Sequence, residues 1–167
     1  MQPLPTELGN VGEITSRLSL QSVSNDDFEA MLALRIDAMR PSLERVGRFS
    51  PERSRERLAA GFVAPYMHHI VLDEDKRIGF VTLKPEGADA LRLDHLYLRT
   101  GFQGLGIGEW ALEWAKTRAC EQGLDIKVTA LVQSDANRFY LRHGFVLESE
   151  EGVDLHYCWR VDVEGAC

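Results

Sequence analysis

The run Gln103-Gly104-Leu105-Gly106-Ile107-Gly108 sets three glycines at alternate positions immediately before a helical pattern. Glycine disfavours a helix by roughly 1 kcal/mol relative to alanine, so its concentration at a helix start needs a cause. The first N–H groups of a helix have no intrahelical partner, and the helix dipole adds partial positive charge there. Without Cβ atoms in the way, a diphosphate fits that environment and is held by main chain alone. A merely tight structural turn is the other reading. Two familiar phosphate motifs do not fit. A Walker A loop requires Lys-Ser or Lys-Thr, and neither is present here. A dinucleotide fingerprint counted from Gly104 and Gly106 requires Gly or Ala at the sixth position, where this chain has Glu109.

The elements around this stretch define its setting. Residues 1–16 carry two prolines and little apolar pattern, and read as a lead-in to a domain over 17–167. A strand is expected at 17–24. The Ser24-x-x-Asp27 capping box then starts a helix with Phe28, Met31, Leu32, Ile36 and Met39 on one face, interrupted or kinked at Pro41. Ser50, Pro51 and Gly61 bracket a second helix. Strand-like runs at 68–74, 77–85 and 90–99 form a meander that leads into the glycines. The helix that follows has an Ile107, Trp110, Ala111, Trp114, Ala115 stripe and stops at Gly123. A strand at 125–132, a short helix at 134–144 and a hairpin split by Gly152 complete the order β-α-α-β-β-β-α-β-α-β-β. That order predicts one α+β domain with a mixed, mostly antiparallel sheet flanked by helices.

Bulk properties narrow the classes. The chain has 167 residues and a net charge of −7, which disfavours a nucleic-acid partner. The charge tilts weakly toward a cationic substrate. No apolar run reaches the ~18 residues of a membrane span, and the N-terminus is not expected to be a secretory signal. Cys120, Cys158 and Cys167 show no C-x-x-C spacing, which predicts neither a disulfide framework nor a zinc site and fits a reducing cytoplasm. His68 and His69 are adjacent on a strand, so they face opposite sides, and no metal site is expected.

With the glycine stretch, "ANRFYLRHGF" (136–145) carries a resemblance. The chain resembles the GNAT superfamily of acetyl-CoA-dependent N-acetyltransferases. "QGLGIG" is similar to the family's [QR]-x-x-G-x-[GA] pyrophosphate loop, and the later segment to its A-x-x-F-Y-x-x-x-G-F pattern. The resemblance implies that Gln103, Gly104, Leu105, Gly106, Ile107 and Gly108 hold the pyrophosphate of CoA. It implies that Leu96, Tyr97 and Leu98 pair their main chain with the pantetheine arm, beside a splayed gap between that strand and 125–132. Tyr140 takes the position of the family's general acid. The family asparagine three residues before the motif alanine is replaced by Gln133, and Asn137 is carried over as a cofactor contact.

The implied chemistry is acetyl transfer by direct attack of a primary amine. Its oxyanion needs a donor, for which the Leu98 N–H is suited. Its leaving thiolate needs a proton, which a phenol of pKa about 10 such as Tyr140 can give; a packed aromatic is the other reading of that residue. Relatives place a carboxylate or histidine at Asp94, facing the acceptor and working through water. An Asp of pKa about 3.9 needs burial or a water chain to serve as base. Alternation puts Arg92, Asp94, Leu96 and Leu98 on one face, and Leu93, His95 and Tyr97 on the other. His95 is therefore expected on the wrong face. Met39, Arg40 and Phe49 are expected to line the acceptor site. A homodimer is a family-level expectation, and a catalytically silent acyl-CoA-binding module is the competing class.

Overall fold

The computed structural model describes residues 11–162. Helix α1 (Val11–Ser16) precedes β1 (Leu18–Ser22). Helices α2 (Phe28–Arg45) and α3 (Pro51–Ala60) follow, then the meander β2 (Met67–Leu72), β3 (Lys76–Glu86) and β4 (Ala90–Leu98). Helix α4 (Ile107–Gln122), β5 (Asp125–Leu131), α5 (Ala136–Arg142), β6 (Val146–Glu151) and β7 (Asp154–Trp159) complete the domain. The α+β order expected from sequence is present, with α1 added. Part of the expected lead-in is thus helical: Ile14 of α1 is fully buried in the core shared with α4. Residues 1–10 of that segment lie outside the described residues.

Local signals set the helix ends. The Ser24 hydroxyl accepts from the Asp26 N–H, and the Asp27 carboxylate accepts from the Ser24 N–H at 2.9 Å, at a short 3₁₀ turn that leads into α2. Ser50 caps α3, with Pro51 in its first turn. The expected interruption at Pro41 does not occur, because α2 continues to Arg45. Proline removes the donor to the Asp37 carbonyl, at a cost of ~3 kcal/mol in a helix interior. Burial of Met31, Leu32 and Leu34 against the sheet offsets that loss.

The seven strands run in the order β1-β2-β3-β4-β5-β7-β6. All neighbours are antiparallel except β4 and β5. One face packs on α1, α4 and α5 through Leu91, Leu93, Ile107, Ala111, Ile126 and Val128. The opposite face packs on α2 and α3 through Met31, Leu32, Leu58, Met67 and Phe80. Cys158 is a buried free thiol, whereas Cys120 is disulfide-bonded. Cys167 lies outside the described residues.

Two irregularities in β4 shape the surface beside it. First, its parallel ladder with β5 runs only from Ala90↔Asp125 to Leu93↔Val128. Beyond this, β4 continues beside β3 and β5 continues beside β7, so the two strands part. Second, Leu93 pairs with Leu83 and His95 with Thr82, which leaves Asp94 as an extra residue in a β-bulge. The bulge reverses the alternation. Leu91, Leu93, Leu96 and Leu98 all meet the α4 side. Tyr97 packs with the α2 side, and His95 lies against Phe80 there at 5.7 Å between ring centroids. The strict period-two assignment is thereby corrected: Leu96 and Leu98 do not share a face with Asp94, and His95 does.

Asp27 joins the start of α2 to the sheet. Its carboxylate also contacts His69 Nε2 at 3.0 Å and Arg77 Nη1 at 3.1 Å. The His69 contact, then the Ser24 N–H, hold the Asp27 pKa down to about 2. A lowered carboxylate pKa stabilises the fold above the ordinary value, and the contribution is lost as pH falls through the folded one. Replacing Asp27 by Ala is expected to cost ~1–2 kcal/mol at neutral pH, the magnitude of a lost cap, as read by urea unfolding. Between pH 4 and 2 the variant should lose less further stability than the parent chain; parallel curves over that interval would contradict the assignment.

Candidate active site

The glycine stretch forms the turn from β4 into α4. Gly104 and Gly106 adopt φ of +75° and +83°, a region L side chains avoid. Ile107 is fully buried and Leu105 packs against the same core, so the side chains between the glycines point inward. The outer surface is main chain. The first backbone bond of the helix is Trp110 N–H to the Gly106 carbonyl at 3.0 Å. The N–H groups of 104–109 have no protein partner among the described residues. A Cβ built at Gly104 would meet nothing within 4 Å, so the approach to these donors is open. A set of free donors at a helix N-terminus fits an anion such as a diphosphate.

The parted edge of β4 leads away from this cradle. Arg99 donates its N–H to the Ile78 carbonyl at 2.8 Å. Hydrogen-bonded pairs alternate along an antiparallel ladder, so the main-chain groups of Leu98 and Leu96 turn from β3 toward the gap. The Leu98 carbonyl there accepts from Gln103 Nε2 at 3.4 Å. The remaining groups of this edge offer a strand-like ligand a ladder to join.

On the α2 and α3 side the gap opens into a cavity of about 200 Å³, and Asp94, His95 and Tyr97 all line it. The bulge brings the two adjacent titratable side chains there together, with His95 Nε2 3.8 Å from Asp94 Oδ2. Thr82 Oγ1 fixes the imidazole through Nδ1 at 2.8 Å, in a fully buried pair. Burial pushes the His95 pKa down to about 4; Asp94 opposes this, while Arg35 and Lys84 add to it. The ring is therefore neutral at ordinary pH. Lys84 Nζ pairs with Asp94 Oδ2 at 3.0 Å. Met39 lines the cavity as expected. Arg40 and Phe49 do not; their side chains engage each other, with the guanidinium 4.5 Å from the ring centroid.

Helix α5 supplies Tyr140, which is 6% exposed and packed against Phe139, Phe145 and Tyr157. Burial, then the neighbouring Tyr97, push its pKa well above the usual phenol value. Its hydroxyl has no hydrogen-bond partner among the described residues, which leaves its proton available. Asn137 is used differently from the expected cofactor contact. Its Nδ2 donates to the Leu131 and Ser134 carbonyls at 2.9 and 3.0 Å, and its Oδ1 accepts from the Tyr157 hydroxyl at 2.8 Å. Asn137 thus ties the end of β5 to α5. The expected opposition of the adjacent histidines holds: His69 bonds Asp27, while His68 lies edge-on to Trp114 of α4 at 5.2 Å.

The site is thus a splayed sheet with an open cradle at one end of the gap and a cavity at the other. A family model for the acetyltransferase (GNAT) domain matches residues 65–147. The chain belongs to the GNAT acetyltransferase superfamily. Its fold is similar to that of the PaiA N-acetyltransferase from Thermoplasma acidophilum, solved in complex with coenzyme A: TM-score 0.70 and 18% identity, over 86% of this chain and 98% of that one. An acetyltransferase from Thermus thermophilus is similar at TM-score 0.67 and 20% identity, over 87% and 97%. Ard1 from Thermoplasma volcanium is similar at TM-score 0.64 and 14% identity, over 88% and 99%. None of the curated proteins matches the sequence.

Gly61, at the C-terminus of α3, has a structural reason to be glycine. A Cβ there would stand 2.6 Å from Asp94 Oδ2 and 3.3 Å from His95 Cε1. Its φ of −101° suits alanine, and the nearer obstacle is the tip of a side chain. Gly61→Ala is expected to keep the fold, with Tm within about 4 °C of the parent, while displacing the Asp94 carboxylate from Lys84 in a crystal structure. An unmoved Asp94 would contradict the proposed close approach.

Proposed function

We propose that this protein transfers the acetyl group of acetyl-CoA to a primary amine by direct attack. The observation that carries the reading is the parting of β4 and β5. It leaves the Leu96–Leu98 edge exposed between the free N–H cradle and the cavity that holds Asp94 and His95. Acetyl-CoA, when bound, supplies the activated acetyl thioester. The main chain of Gln103, Gly104, Leu105, Gly106, Ile107 and Gly108 would bind its diphosphate, and the main chain of Leu96 and Leu98 would pair along its arm, while the expected pairing of Tyr97 is ruled out because its own main-chain groups are bonded to β3.

The chain's own residues then have distinct tasks. The Leu98 N–H, turned into the gap, would stabilise negative charge developing on the carbonyl oxygen. Tyr140 would hold a proton for the departing sulfur. Burial keeps its phenol protonated, and the same burial raises the proton affinity of a thiolate beside it, so transfer between the two remains feasible. Asp94 would take the amine's proton through water, with its charge balanced by Lys84. Neutral His95 faces the same cavity and would help order that water; the bulge, which sequence alternation could not show, makes this possible.

Tyr140→Phe is expected to lower kcat by about a hundredfold, as for loss of a general acid, at little-changed acetyl-CoA affinity. An unchanged kcat would remove the acid assignment. Acetyl-CoA binding without CoA release in the presence of any amine would instead mark a binding module. The pH profile gives a second check. With its pKa at about 4, His95 does not titrate between pH 5.5 and 7.5. There kcat/KM should rise only with deprotonation of the amine, whose pKa is about 10. An inflection near pH 6.5 that disappears in His95→Gln would contradict this.

A further inference from the structure

The cavity is lined by four arginines, Arg35, Arg48, Arg53 and Arg57, against two carboxylates, Asp94 and Asp154. This is a cationic site in a chain of net charge −7. None of the four arginines forms an ion pair among the described residues, while their neighbours do: Arg40 pairs with Glu44 and Arg55 with Glu29. Asp94 is already matched by Lys84.

Arg35 is the most telling. It is only 6% exposed, lines the cavity from α2, and its Nε and Nη1 atoms are buried without any hydrogen-bond partner. Buried guanidinium donors are normally satisfied, so an orphaned pair beside a cavity points to a ligand. Arg53 and Arg57 stand at i and i+4 on α3, where like charges repel. A local cost without a structural return is the pattern expected at a functional site. Arginine's planar fork suits carboxylate and phosphate oxygens, which accept two parallel bonds. The cavity, at about 200 Å³, lies below the ~300–1,000 Å³ range of drug-sized sites, which favours a small ligand.

We infer that the acceptor is a small amine bearing an oxyanion, carboxylate or phosphate, held by Arg35, Arg53 and Arg57 while its amine faces Asp94 and His95. This rests on the acetyl-transfer reading and reverses the tilt toward cationic acceptors suggested by net charge.

The test has two arms. The first follows CoA release from acetyl-CoA with matched amines: β-alanine beside propylamine, phosphoethanolamine beside ethanolamine, the amino acids beside their decarboxylated amines, and spermidine. The anionic member of the best pair should be favoured at least about tenfold in kcat/KM. The Arg53→Gln/Arg57→Gln variant should bring that ratio toward one, chiefly through KM. The carboxylate and phosphate pairs separate the two sources. Preference for spermidine or a neutral amine would overturn the inference and leave acetyl transfer standing.

The second arm measures Tm with inorganic phosphate or glutarate, with CoA saturating so that the α4 cradle is not the site read. Either anion should stabilise the parent chain more than the double variant; a parent chain and variant that respond equally to each anion would overturn the inference. Absence of CoA release from every amine would defeat the acetyl-transfer reading, and this arm would then decide the inference by itself.

Discussion

The fold turns on a ladder that stops. Strands β4 and β5 share a parallel register for four pairs, to Leu93 and Val128, and then separate. A strand edge within a domain carries N–H and C=O groups that need partners. Here β3 satisfies one side of β4, and the other side of Leu96–Leu98 is left facing a gap. The parting is built from both sides. The bulge at Asp94 redirects β4, while β5 is drawn along β7 and held by Asn137 at the Leu131 carbonyl. Arg45 of α2 adds a hydrogen bond to the Gln133 carbonyl just beyond β5.

This one interruption divides the molecule into two complementary ends. On the α4 side, glycines at positive φ leave helix-terminal donors uncovered. On the α2 and α3 side, the bulge crowds Asp94 and His95 toward a cavity that four arginines share. Tyr140 enters from α5, its hydroxyl without a hydrogen-bond partner among the described residues. The gap connects the open main-chain cradle to the cavity, and each end is shaped by backbone geometry before any side-chain chemistry acts. Net charge is a poor guide to such a site, because a chain of net charge −7 here lines its cavity with four arginines against two carboxylates.

Much of this architecture is legible in the sequence for definite reasons. The capping residues Ser24, Asp27 and Ser50 act within a few positions of themselves, so local pattern finds them. The glycine run is legible because glycine is costly at a helix start, and Gly104 and Gly106 take the positive φ that other residues avoid. Strict alternation along β4 conceals the bulge. The leucine spacing at 91, 93, 96 and 98 is the signal that marks it, since an extra residue lets all four meet one face. The arginine cavity has no comparable signature. Arg35 and Arg53 come from different helices, and only tertiary packing shows that they converge. Pro41 misleads for the opposite reason: a local preference against helix is overruled by the buried face of α2.

Acetyl-CoA can be held as proposed only if the open edge of β4 and the N-terminal amides of α4 form one continuous binding surface. Amide hydrogen exchange read by NMR, with and without CoA, tests this most directly. Exchange at Leu96 and Leu98, and at Gly104 through Glu109, should slow when CoA is added, while Tyr97, already bonded to β3, should change little. Unchanged exchange along β4 and the glycine turn, with protection arising elsewhere, would contradict it.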